Sequence, residues 1–197
     1  MRRRALLAMM MISFVLAGAG CWNPFSPDDD GNGNHPIGDR KNPNSLLEFF
    51  ATAYEDKAID RYEEALDNDY RFEFMEADWE SAGVPANAPY WGRGEDVDRT
   101  RIMFENPNTT GISFDFGLPL FVNWVPTKDT IWVDALPVEV DALLGRYQPD
   151  IQVIVENDKG STTYWVNNSW VNIKVVQDRL DPSLWTILRI VEMEAAP

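Results

Sequence analysis

The side chains of this chain that could do chemistry are mostly carboxylates and aromatic rings. There is one histidine, His35, and one cysteine, Cys21. Histidine-dependent triads and multi-histidine zinc sites are therefore excluded. No Walker or dinucleotide-type glycine pattern occurs either, and no cofactor is expected. Acid–base work by carboxylates stays open. Asp115 falls on the polar side of its strand pattern, between Phe114 and Phe116. Asp134 alternates in phase with Trp132, Leu136 and Val138, which would place it in an apolar pocket. Desolvation there would raise its pKa and suit a general base, so Asp134 is the candidate catalytic residue. A bulge after Trp132 would turn it outward instead.

A second chemistry-bearing stretch is Asp28-Asp29-Asp30-Gly31-Asn32-Gly33, which fits the front of a calcium loop with Asp39 at its twelfth position. Asp28, Asp30, Asn32 and Asp39 would be the ligands. No helix pattern leads into the stretch and the closing residue is Asp rather than Glu, so a solvated spacer is the competing reading. The eight Trp are a third resource. Tyr54, Trp91, Trp124 and Trp132 are the candidates for lining a pocket that takes a flat apolar ligand. Filling of a core explains aromatic residues of this kind equally well.

These groups need a scaffold. At 197 residues and 45% apolar content the chain suffices for one domain with appendages. The net charge of −15 opposes both phosphate backbones and anionic lipid headgroups, so no nucleic-acid partner is expected. Leu46, Leu47, Phe50, Ala53 and Tyr54 repeat at helical spacing, with Asn42 or Asn44 as cap. Ile59, Tyr62, Ala65 and Leu66 form a second helical set. Tyr70, Phe72 and Phe74 alternate as a short strand, and Glu95 to Phe104 reads as a third helix. Strand patterns fill the remainder: Ile112 to Trp124, Asp129 to Leu144 broken at Pro137, Ile151 to a hairpin at Asn157–Gly160, Thr162 to Val176, and Trp185 to Met193. Helices in front and successive strands behind predict an α+β fold.

The order helix pair, DNDYRFEF, Trp-bearing loop, helix ending in IMF, then long strands resembles the nuclear transport factor 2-like superfamily, over about Asn44 to Glu194. The resemblance implies three helices on a strongly curved, mainly antiparallel sheet, and homodimers through that sheet. The ketosteroid isomerases of that superfamily use a Tyr on the first helix and an acid near the first strand's end. Here Phe50 and Phe74 fall on those positions, so no catalytic role carries over.

MRRR followed by ALLAMMMISFVLAGA has the charged and apolar regions of an export signal. Gly18-Ala19-Gly20-Cys21 resembles the lipobox of bacterial lipoproteins, with Gly18 where Leu is commoner. That resemblance implies cleavage before Cys21, acylation of Cys21 and attachment to a membrane through acyl chains. The expected organisation is a signal peptide at 1–20, a lipidated cysteine with a Pro/Gly/Asn/Asp-rich tether at 21–43, and a domain at 44–197. The address would be the outer side of the inner membrane or the outer membrane. The preferred function is non-catalytic binding of an apolar small molecule or an envelope protein. The alternatives are a small carboxylate-dependent isomerase, dehydratase or hydrolase, and a structural lipoprotein.

Overall fold

The computed structural model of the chain describes residues 38–117, 123–158, 160–166 and 170–193. Cys21, Asp28, Asp30 and Asn32 lie outside them. Packing starts earlier than residue 44. Arg40 is buried, its guanidinium donating to the Glu64 backbone oxygen at 2.9 Å and its carboxylate at 2.7 Å, and its own carbonyl accepts from Trp185 N. Gly38 lies so close to Ser45 O that a Cβ there would sit 2.0 Å away. Asp39, the last calcium candidate, is exposed and turned to Lys41, whose ammonium and amide hold its pKa down at about 2.

Helix α1 (Pro43–Glu55) begins at Asn42, whose side chain accepts from Asn44 N and Ser45 N while Ser45 Oγ accepts in return from Asn42 N. It buries Leu46, Leu47, Phe49, Phe50 and Ala53. Helix α2 (Ile59–Ala65) runs directly into strand β1 (Leu66–Glu73), so Leu66 opens the strand rather than ending the helix. A one-turn helix α3 (Trp79–Ala82) and short β2 (Tyr90–Gly92) lead into α4 (Arg93–Glu105). Then come β3 (Thr109–Asp115), β4 (Val125–Val133), β5 (Leu136–Tyr147), β6 (Asp150–Asn157), β7 (Gly160–Val166), β8 (Trp170–Gln177) and β9 (Trp185–Met193). No helix among the described residues is long and apolar enough to cross a membrane.

The strands form a six-stranded sheet in the order β2-β1-β9-β8-β5-β4 and a three-stranded sheet β3-β6-β7. All described pairings are antiparallel except β1 with β9. The expected single strand from Thr162 to Val176 is two strands in different sheets, which places Trp165 on β7 and Trp170 on β8. The expected break at Pro137 is also displaced. Val133 pairs with Leu136, and Asp134 and Ala135 take φ of 50° and 63° in the two-residue turn between β4 and β5. Both left-handed residues suit the turn that a twisted hairpin needs. Pro137 is then tolerated inside β5, because β5 meets β8 only from Leu143 onward and no ladder bond is lost on that side.

The larger sheet curls far enough for β4 to meet β1. In β1, Leu66 is level with Ile187 and Arg71 with Arg189, so Asp67–Tyr70 leave the regular register. Asp67 and Asp69 both accept from Arg179, and Asp69 Oδ2 also accepts from Trp132 N of β4 at 3.2 Å. Arg189, only 5% exposed, donates to Asp69 O of β1 and, at 2.9 Å, to Thr130 O of β4. Ile131, Ala142, Val176 and Leu188 are sealed into a small apolar cluster of their own. The main core lies between α1, α2 and the sheet, around Phe50, Tyr62, Tyr70, Ile173, Val175 and Ile187.

Replacing Arg189 by Met should therefore cost about 3 kcal/mol, the range for breaking a buried charged network. Arg179→Met removes a one-third-exposed cation from buried Asp67 and should cost less, about 1–2 kcal/mol. Urea denaturation of both variants checks the order, and equal losses would contradict this account of the sheet's closure.

Candidate functional site

A cavity of about 270 Å³ lies between α1, α4, β1 and β9, bounded also by β3, β6 and β8. Its walls are ring-rich: Phe50, Phe72, Phe74, Trp91, Phe114 and Phe116. The alternation of Tyr70, Phe72 and Phe74 aims all three at it, with Trp91 beside Phe72 on the adjacent strand β2. Phe50 and Phe74, the vacant catalytic positions of the resemblance, are both wall residues.

Its polar end is a cluster contributed by four elements. Tyr54 comes from α1, Tyr62 from α2, Tyr70 from β1, and Asp96 and Thr100 from consecutive turns of α4. The Tyr62 hydroxyl donates to Asp96 Oδ2 at 2.6 Å. Tyr54 stands edge-on to Tyr62, with ring centroids 5.1 Å apart. Tyr70 is 2% exposed, and its hydroxyl makes no well-formed hydrogen bond among the described residues, although Asp96 and Tyr62 lie within its reach. Burial raises the pKa of all three phenols, with the nearby Asp96 adding to the rise. Burial also raises the pKa of Asp96 itself, and the Tyr62 and Tyr70 hydroxyls offset only part of that. A second carboxyl, Glu192 of β9, lines the same cavity; its pKa is raised by burial and by the neighbouring charge of Asp78. The site thus joins neutral donors, two carboxyls of reduced acidity and the Arg99 guanidinium to an apolar hollow. It can hold an oxygen-bearing apolar molecule and exchange protons with it.

Of the residues singled out in the sequence, Tyr54 and Trp91 line this cavity and Trp124 and Trp132 do not. Trp124 lies over Gly145 of β5, where a Cβ would come within 2.9 Å of the indole, and its Nε1 donates to Asn44 Oδ1 at 2.8 Å. Its role is to tie the start of α1 to the sheet. Trp132 is 48% exposed near the β4–β5 turn. Asp134, the candidate base, is exposed in the turn itself; the two-residue hairpin takes it out of the alternation that placed it in a pocket. Asp115 is exposed and accepts from Gly117 N. Among the described residues, no group of His, Cys, Asp or Glu is arranged to hold a metal ion.

Asp96 and Glu192 were not singled out by sequence. Asp96 reads there as a first-turn acid suiting the helix dipole. The helical spacing of Asp96, Thr100 and Phe104, which all face inward, is the signal that identifies it.

No family model matches the chain, and no curated protein does. Among solved structures, the Kfla4162 protein of Kribbella flavida is 10% identical over 77% of this chain and 86% of its own, with a TM-score of 0.50. What is shared is the α+β fold. A protein of Novosphingobium aromaticivorans provisionally named an aromatic ring hydroxylase is 18% identical over 83% and 94% of the two chains, with a TM-score of 0.49. A nuclear transport factor 2-like superfamily protein of Salmonella enterica is 6% identical over 77% and 87%, with a TM-score of 0.46. The helices on a strongly curved, mainly antiparallel sheet are those expected from the sequence.

Asp96 gives the site a pH signature. Between the ordinary carboxylate pKa and its raised value, the native state keeps a proton that the unfolded chain has released. Its contribution to stability therefore falls as pH rises through that window and is lowest above it. Asp96→Asn should flatten this slope above the ordinary carboxylate pKa of about 4. Urea midpoints measured across that range test it, and parallel curves for the two proteins would show that Asp96 is not the group involved.

Proposed function

We propose that the domain is a non-catalytic receptacle for a small, flat, largely apolar molecule carrying one oxygen that accepts a hydrogen bond from Tyr70. The observation that carries this reading is the buried Tyr70 hydroxyl, with no well-formed hydrogen bond among the described residues, on the wall of a ring-lined cavity. A cavity of about 270 Å³ is near the lower end of small-molecule sites, which start at about 300 Å³, so the occupant is one or two rings in size. We further propose that Cys21 carries acyl chains that hold the protein at the outer face of the inner membrane or in the outer membrane. The pairing of an export-type signal with a solitary cysteine after small residues supports that address.

Melting temperatures in the presence of one- and two-ring aromatic ketones, with the parent hydrocarbons as controls, test the binding reading. A ketone should raise the melting temperature more than its hydrocarbon. Tyr70→Phe should keep the fold and weaken the ketone by roughly fivefold, the equivalent of about 1 kcal/mol for one hydrogen bond. Equal binding of ketone by wild type and Tyr70→Phe would remove Tyr70 from the site. For the anchor, labelled fatty acid should enter the wild-type protein in cells and not Cys21→Ser; an unlabelled wild type ends that proposal.

A second reading is favoured by the presence of Asp96 and Glu192, both of raised pKa, on one cavity. Such a pair suits a carboxylate-dependent isomerase or dehydratase, with one group giving a proton and the other taking one. Turnover of a bound ketone that follows a bell-shaped pH profile and disappears in Glu192→Gln would favour it over simple binding.

A further inference from the structure

Among the described residues Glu192 is a carboxylate without a counter-ion. It is half-buried on the cavity wall and makes no ion pair among the described residues. Its one hydrogen bond is a long one, from Met75 N at 3.4 Å. Its charged neighbour Asp78 has the same sign. A carboxylate drawn partly out of water beside a like charge is stabilised in its ionised form by a nearby cation.

The rings on the same cavity suit one. Phe72 and Phe74 stand 4.8 Å apart by their centroids, and Phe74 meets Trp91 edge-on at 4.5 Å. The Trp91 indole is fixed by its Nε1 donating to Ala82 O at 3.2 Å. Ring faces of this kind attract ammonium groups, best when water is excluded. One face of Trp91 already carries the Arg99 guanidinium, 4.3 Å from the ring centroid, so the indole holds a cation in this very fold. Arg99 does not serve Glu192. Its Nε and Nη2 both donate to Glu95, which meets its charge at the surface. For the same reason Arg99 is a poor receptor for a ligand carboxylate. The net charge of −15 draws cations toward the domain from a distance.

We infer that the cavity takes an arylalkyl amine, an aromatic ring body bearing an aliphatic amine, in its protonated form, the ammonium group lying between Glu192 and the rings of Phe72, Phe74 and Trp91. This deepens the binding reading above and rests on it. The ring body of the ligand then faces Phe114, Phe116 and Ile151 on the opposite wall. Nothing is made or broken; the ammonium replaces water beside a carboxylate that lacks an ionic partner.

Calorimetric titration of the full chain with three isosteric probes tests the inference: 2-(aminomethyl)naphthalene, 2-naphthylmethanol and 2-naphthoic acid, near neutral pH. The amine should bind at least about tenfold more tightly than the alcohol, since it gains both a charge-assisted bond and the ring faces. The acid should bind least. Glu192→Gln should bring the amine to the level of the alcohol and leave the alcohol unchanged. Should that variant fail to fold, the amine–alcohol ratio in the wild type decides alone. Equal binding of amine and alcohol, a preference for the acid, or an amine unaffected by Glu192→Gln overturns the inference. If only uncharged ketones bind, and Tyr70→Phe weakens them, the cavity reading stands without the cation. If no probe and no ketone binds, the cavity reading fails as well.

Discussion

The departure of Asp67–Tyr70 from the β1 register is the constraint on which both halves of the domain depend. A regular strand would send Asp67 and Asp69 to one face and Tyr70 to the other by simple alternation. It could not also bring Asp69 O and Asp69 Oδ2 to partners on two other strands. The irregular segment does so, and Arg189 fills the space it opens. One guanidinium then satisfies carbonyls on β1, β4 and β9 together. The curl of the sheet follows, because β4 is held near β1 although three strands separate them in hydrogen-bonding order. On the opposite side the same segment delivers Tyr70 to the cavity. Closure and site thus share one short segment of β1.

The polar end of the cavity is costly to keep. Three phenols and a carboxyl are withdrawn from water, and only the Tyr62–Asp96 hydrogen bond is well formed. Protonation is the cheapest way for Asp96 to remain inside, which is why its pKa rises although it stands in the first turn of α4, where the helix dipole favours the charged form. A neutral carboxyl can donate as well as accept, so the cluster can reorganise its hydrogen bonds around an incoming oxygen without gaining or losing charge.

How far the sequence carried the structure varied with the kind of signal. The periodic segments were legible: α1 from its Leu/Phe spacing and Asn42 cap, α4 from its acidic first turn, and the β6–β7 hairpin from Asn157–Gly160. The β4–β5 turn was not, because Asp134-Ala135 lacks the glycine that usually marks a two-residue hairpin, and Ala seldom takes a positive φ. That one turn misplaced Asp134 and with it the expected base. Tyr54 and Trp91 were recognisable as aromatic residues near turns of the pattern, yet nothing local separates them from Trp124, whose fate depends on Gly145 two strands' length away in sequence. Asp96 and Glu192 reach the cavity through the packing of α4 and β9 on β1, a long-range outcome that local spacing only hints at.

Packing logic finally separates a retained cavity from an accidental one. Elsewhere in this domain aromatic rings fill space. Trp124 is seated in the notch at Gly145, and Phe116 and Trp124 both pack on Tyr147, with centroids 5.6 and 5.9 Å away. The same chemistry could have closed the hollow beside Tyr70. Instead the walls leave a hollow of about 270 Å³ and a buried hydroxyl with no well-formed hydrogen bond among the described residues. A Phe at position 70 would bury no hydroxyl and keep almost the same shape. Stability alone therefore accounts for the rings around the cavity but not for the Tyr70 hydroxyl or for Glu192, and the proposed ligand is what would meet those two groups.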